Sequence, residues 1–178
     1  MSLTVDLLIG LWVILPAYFA NAFAPLAGGR TPLDMGAKVG GRQVFGSGKT
    51  WKGTLFGIFI GTAVGFIEIY YQPGLTAYAA TKSVALPQLG PLSVFLISTG
   101  AMIGDLVGSF MKRRWGVPRG EPVPLLDQLD FVVGAFALSY AFVELRFVPM
   151  VLIVAFTPLI HLMANLIGYK IGAKKVPW

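Results

Sequence analysis

Cysteine is absent from the chain, which removes disulfides, thiolate metal sites and cysteine nucleophiles together. Histidine is nearly absent too: His161 stands alone, so no zinc constellation and no plausible Ser–His–acid set exist, and the main hydrolytic chemistries fall away. His161 itself reads as a hydrogen-bonded packing residue. Charge is scarce, with 12% of the 178 residues charged against 56% hydrophobic and a mean hydropathy of +0.74. A water-facing surface cannot be built from that mixture, so most of the surface faces lipid. Acidic residues number only 8 against 14 basic ones, and where those few carboxylates fall carries much of the functional reading.

Long apolar runs are what the chain has in abundance. Five of them, near 3–27, 54–72, 92–112, 125–144 and 148–168, can each cross a hydrocarbon core about 30 Å thick at ~1.5 Å per residue. The expectation is an all-α, polytopic integral membrane protein with about five transmembrane helices, forming a single transmembrane domain over 1–178. The first run follows MSLTVD, which has no positive side chain, and is too long for the core of a secretory signal, so it is expected to stay as an anchor. With five spans, the loops at about 28–53 and 113–124 share a side with the C-terminal tail. Of the 14 lysines and arginines, including Lys174 and Lys175 in the tail, only Lys82 and Arg146 fall on the opposite side. Cations collect in cytoplasmic loops, which places the N-terminus outside and the C-terminus and both loops in the cytoplasm. The net charge of +6 then reflects topology, and no nucleic-acid partner is needed to explain it. Glycine recurs at Gly53, Gly57, Gly61 and Gly65 and again at Gly100, Gly104 and Gly108, a spacing expected to let helices approach closely.

The stretch GSGKTWKG, from Gly46 to Gly53, has the look of a phosphate-cradling loop. The earlier glycine that the full signature requires is Gln43 here, and the usual soluble strand–helix setting is missing. Depth says more. An ionisable group inside a span costs roughly 2.5–3.5 kcal/mol, so each needs a partner, a cavity or an interface. Asp105, Ser109 and Lys112 share one face of the third run, next to Arg113, and Asp127 and Asp130 lie one turn apart at the start of the fourth. Asn21 near the inner end of the first run, with His161 and Asn165 at that of the fifth, completes one polar level across the spans. The outer half holds only Glu68, read as an interfacial anchor, and hydroxyls such as Ser98 and Thr99. The cluster therefore reads as a pocket open to one side. A cation- or proton-coupled transporter, the rival class, needs access from both sides, and a non-catalytic scaffold needs no stripe of acid, hydroxyl and ammonium. Carboxylates facing basic side chains suit a divalent metal with phosphates, and so phosphoryl or nucleotidyl transfer.

The run SFMKR, Ser109 to Arg113, preceded by Gly104 and Asp105 and followed across a Gly/Pro loop by LLDQLD with Asp127 and Asp130, resembles the signature of the CTP-dependent phosphatidate cytidylyltransferases. KTWKG, from Lys49 to Gly53, resembles that family's Lys-Thr-x-x-Gly element. The short length, with RTPLD, KTWKG, SFMKRR and PLLDQLD, is similar to the archaeal branch, the CDP-archaeol synthases, over about residues 20–135. The chain departs from the bacterial pattern in lacking His-Gly-Gly before the first aspartate, in having Gln128 for an arginine, and in carrying Arg119 and Glu121 where a Lys-Asp pair is usual. The resemblance implies a cytidylyltransferase that joins CTP to an isoprenoid ether-lipid phosphate, 2,3-di-O-geranylgeranylglyceryl phosphate, releasing pyrophosphate at the cytoplasmic side of the cell membrane. It implies Asp105 and Asp127 as Mg²⁺ ligands, with Asp130 at a second cation or in support, and Lys112 with Arg113 on phosphate. It further implies Lys49, Thr50, Lys52, Ser109 and Asn21 as contacts to CTP or its phosphates. An oligomer is compatible with all of this.

Overall fold

A computed structural model describes residues 2–170 and 172; Lys174 and Lys175 lie outside the described residues. Helix α1, Leu3–Phe23, starts on the Ser2 cap and runs into a short 3-10 turn, Ala24–Ala27. Then come α2 (Trp51–Ala80), α3 (Pro91–Arg114), α4 (Leu126–Ser139) and α5 (Phe147–Lys170). The only strands among the described residues are β1 (Lys38–Val39) and β2 (Arg42–Gln43), an antiparallel hairpin between α1 and α2. It turns on Gly40 and Gly41, whose φ values of 58° and 77° are those a tight two-residue hairpin needs.

Among the described residues, four helices, counting the 3-10 turn with α1, are long and apolar enough to cross a bilayer, and the expected multi-pass helical architecture is present. The fourth expected span, near 125–144, is present as a shorter α-helix: α4 has 14 residues, about 21 Å of rise, and passes into a 3-10 turn. Two features shorten it. Asp127 and Asp130 take up its first turns, and at its end the Ser139 hydroxyl donates back to the Ala135 carbonyl (2.8 Å) before the chain tightens into a 3-10 turn, Tyr140–Phe142. The segment still carries the chain from one end of the bundle to the other, because Arg146 beyond it pairs with Asp6 in the first turn of α1 at 2.7 Å. The second span is longer than the expected 54–72, with α2 running for 30 residues.

The core lies among α1, α3 and α4 and is built from Val13, Ile14, Ala17, Val94, Ile97, Ala101, Phe131, Val132 and Ala135, with Ile153 reaching in from α5. Helix α5 is peripheral. Its buried Pro149, Ile153, Thr157 and Asn165 form one stripe, and Thr157 is tied to Tyr18 of α1 at 2.7 Å. Large apolar side chains elsewhere on α2 and α5, such as Phe59, Phe66, Leu159 and Met163, face outward, as a lipid solvent permits.

Both glycine stripes meet neighbouring helices, as their spacing predicts. On α2, Gly57 lies against Ala20 and Met102, Gly61 against Pro16 and Ser98, and Gly65 against Val94; a Cβ at Gly61 would sit 2.5 Å from the Pro16 carbonyl oxygen. On α3, Gly100 and Gly104 meet the backbone of Gly134 and Asp130 on α4. The same stripe corrects the reading of Glu68. Lying three residues beyond Gly65, it continues the packed face of α2, is 5% exposed, and has both carboxyl oxygens buried without a hydrogen-bond partner among the described residues. It is no interfacial anchor.

Candidate active site

The end of α1, the start of α2 and the middle turns of α3, with the adjoining loops, line a cavity of about 310 Å³. Its polar lining comes from Asn21, Ser47, Lys49, Thr50, Thr54, Asp105 and Arg119. Lys49 stands just before α2 and reaches across to α3, where its Nζ lies 2.6 Å and 2.5 Å from the two carboxylate oxygens of Asp105. Thr50 sets the start of α2: its hydroxyl accepts from the Gly53 N–H (3.1 Å) and donates to the Gly28 carbonyl (2.9 Å). Thr50 therefore acts as an N-cap that holds the 28–50 loop against the helix, with its hydroxyl already engaged.

A second charged cluster adjoins the first across the α3–α4 seam. Lys112 Nζ lies 2.6 Å from Asp127 Oδ1, while Asp127 Oδ2 accepts the Val123 N–H at 2.8 Å. Leu125, at φ 66°, turns the chain sharply into α4 and so lets that carboxylate fold back on the preceding loop. Asp130 lies within electrostatic reach of Asp105, Lys49 and Asp127, and its side chain packs on Gly108, where any Cβ would collide with it. Asn21, Lys49, Thr50 and Asp105 are thus brought together in the cavity, and Lys112, Asp127 and Asp130 beside it. Three of the expected residues stand apart. Lys52 is exposed on the first turn of α2, and Ser109 is buried in α3; neither lines the cavity. Arg113 braces the loop after α3, donating to the Pro118 carbonyl at 3.4 Å.

Among the described residues, no three carboxylate or imidazole groups converge as a ready metal cage. The donor set nevertheless fits Mg²⁺ in kind, since that ion takes hard oxygen ligands and is commonly held by one or two carboxylates together with substrate phosphates. The two carboxylates assigned to it, Asp105 and Asp127, each carry a lysine ammonium.

Several organising residues escaped the sequence reading. Asp34, in RTPLD, accepts backbone N–H groups from Gly36, Phe45 and Gly46, each at 3.0 Å, and so gathers the loop between α1 and α2. Burial alone would raise its pKa, but those N–H donors outweigh it and hold the carboxyl below the usual carboxylate range. The Asp-x-Gly spacing of Asp34 and Gly36 is the turn signal that would have found it. Arg114 and Arg42 form a reciprocal clasp. Arg114 donates to the carbonyls of Val39, Arg42 and Gln43, and Arg42 donates back to the Arg114 carbonyl at 2.7 Å, fixing the β-hairpin on the end of α3. Arg119 joins the two loops by donating to the Ser47 hydroxyl at 2.7 Å. No local pattern announces either arginine contact, because each partner lies about 70 residues away in the chain.

Residues 3–178 match the family model described as CarS-like, CDP-archaeol synthase. Similar curated proteins include the CDP-archaeol synthases of Thermococcus gammatolerans, 46% identical over 94% of both chains, and of Methanocaldococcus jannaschii, 44% identical over 94% of this chain and 95% of that one. The Halobacterium salinarum enzyme of the same name is 42% identical over the full length of both. A solved structure described as an intramembrane enzyme for archaeal membrane lipid biosynthesis superposes with a TM-score of 0.76 at 38% identity, covering 90% of this chain and 94% of the other. An intramembrane helical bundle, polar at one end and matched along nearly its whole length, places this chain in the CDP-archaeol synthase family.

Proposed function

We propose that this polar end faces the cytoplasm and that the cavity receives the triphosphate of CTP, with an isoprenoid ether-lipid phosphate brought to its edge. The chain is a CTP-dependent cytidylyltransferase that forms CDP-archaeol and pyrophosphate. The rival reading as a transporter finds no support among its relatives. The observation that carries the active-site assignment is the pairing of Lys49 with Asp105 inside the cavity and of Lys112 with Asp127 beside it. Opposite charges held at a membrane surface, mutually neutral in the absence of a guest, suit a reaction between two anions.

A phosphate monoester has its second pKa near 6, so the lipid phosphate is already largely ionised at neutral pH and needs no general base. One of its oxygens forms a bond to the α-phosphorus of CTP while the bond from that phosphorus to the bridging oxygen breaks. Pyrophosphate leaves with the electron pair. The chain contributes position and charge. Lys49 and Lys112 turn from their carboxylates to phosphate oxygens, and Asn21, at the cavity wall, offers its amide to the nucleotide. Asp105 and Asp127, with Asp130 in support, would hold Mg²⁺, which would supply Lewis-acid neutralisation of the phosphates. Leu55, Ile58, Phe59, Phe66 and Phe95 line an apolar groove of about 430 Å³ on α2 and α3. It begins one residue beyond Thr54 of the cavity wall, where lipid chains have a sideways path from the bilayer.

The test is product formation by the purified protein in detergent, supplied with CTP, Mg²⁺ and an ether-lipid phosphate. Equimolar CDP-lipid and pyrophosphate are expected, with ATP inactive. Absence of CTP-dependent product, or full activity after Asp105→Asn, overturns the reading.

A further inference from the structure

We infer that Arg119 is the residue that receives the β- and γ-phosphates of CTP and carries the charge of the departing pyrophosphate. The inference rests on the function proposed above and extends it to a residue for which the motifs assign no role. Two cations line the cavity, Lys49 and Arg119. Lys49 is neutralised by both oxygens of Asp105. Arg119 takes part in none of the ion pairs found among the described residues; its guanidinium is held by a single neutral acceptor, the Ser47 hydroxyl at 2.7 Å. An uncompensated guanidinium beside a cavity is the strongest ready site for a phosphate, because its planar fork matches two phosphate oxygens at once.

Its position selects which phosphates. The reacting α-phosphorus belongs near Asp105, Asp127 and Asp130, on α3 and α4, where lipid phosphate and nucleotide meet. Arg119 stands on the loop beyond α3 and touches the opposite loop at Ser47 and Gly48; a Cβ on Gly48 would lie 3.3 Å from its Nε. Bare glycine on that side leaves room for the guanidinium to lie flat at the cavity wall. From there it reaches the outward end of a triphosphate, which becomes the leaving group. As the bond between the α-phosphorus and the bridging oxygen breaks, negative charge grows on that oxygen, and Arg119 is placed to stabilise it. In binding phosphate the guanidinium gives up Ser47, so the contact between the two loops is exchanged for one through the nucleotide.

Binding of CTP, CMP and pyrophosphate to the purified protein with Mg²⁺ tests this, using wild type, Arg119→Ala, Arg119→Gln and Ser47→Ala. Arg119→Gln retains a neutral donor for Ser47 and loses only the charge. Both Arg119 variants are expected to weaken CTP and pyrophosphate about 10- to 100-fold and to leave CMP within about twofold. Ser47→Ala is expected to keep the wild-type ratio of CTP to CMP affinity. If CTP and CMP weaken together, or if Ser47→Ala reproduces the Arg119→Ala loss, Arg119 is only a loop staple and the inference falls. Unchanged pyrophosphate affinity in Arg119→Gln overturns it as well. Turnover of CTP by the wild type is measured alongside: no product there sinks the functional reading itself, whereas product with unaltered Arg119 variants sinks only this assignment.

Discussion

Lys49 and Asp105 show how a charged pair in a membrane protein does two jobs. With no substrate present each cancels the charge of the other where water is scarce, and breaking one partner leaves its mate uncompensated. Asp105→Asn is therefore expected to abolish CDP-lipid formation at least 100-fold, about 3 kcal/mol in the barrier, while the protein still elutes from a sizing column as a folded detergent complex. Glu68 is the opposite case, a buried carboxyl without a hydrogen-bond partner among the described residues. Its replacement by Gln removes an ionisable group from an unsatisfied site, so a thermal midpoint equal to or above that of wild type is expected; a large drop would mean that the carboxyl has a role the packing does not reveal. Asp34 links the loop to pH. Its folded pKa lies below its unfolded one, so the stability it contributes is complete above the unfolded value, near pH 4, and is lost as pH falls through the folded value. Proteolysis of the 28–50 loop should stay slow at pH 5 and quicken below about pH 4, and Asp34→Asn should flatten that dependence.

Helix α4 is the element where hydropathy located a crossing segment but missed how it is built, and the reason is physical. An apolar run measures how well a segment tolerates lipid, but it does not register that Asp127 and Asp130 occupy the first turns or that the helix tightens after Ser139. The glycine periodicity fared better because contact distance is a local property of the residue: wherever Gly100 and Gly104 point, only a helix without intervening side chains can follow. A methyl group at Gly104 would collide with the Asp130 carbonyl, a backbone atom that cannot rotate away. Gly104→Ala is accordingly expected to destabilise the protein by about 2 kcal/mol or more, read as a lower thermal midpoint, and to reduce turnover because Asp130 moves with its helix. Leaving both midpoint and rate unaltered would show that the seam is looser than its geometry. The carboxylates and lysines of the cluster were legible because burying charge restricts where such residues stand. Arg42, Arg114 and Arg119 were not, since surface arginines carry no such restriction and their loop partners become neighbours only after the chain has folded.

For the molecule as a whole, the distribution of lysine and arginine is the ground for the proposed topology, which the helices alone leave open. A chain without cysteine is a ready background for measuring it. Lys38→Cys in the hairpin loop and Lys82→Cys beyond α2, both at exposed positions, are expected to react with a membrane-impermeant maleimide from opposite sides. The first should label only in inverted vesicles and the second in intact cells; the reverse pattern would invert the assignment of the active-site face. The two ends of the bundle are also fastened differently. At the far end Asp6 and Arg146 tie α1 to the start of α5, whereas at the working end two loops are joined through Arg119 and Ser47. Between these ends, α3 and α4 meet backbone against backbone along Gly100, Gly104 and Gly134. Asp105, Asp127 and Asp130 thus stand on a single stiff beam, an anvil that keeps its shape, and any closing upon a guest falls to the lighter jaw formed by the loops and the first turn of α2.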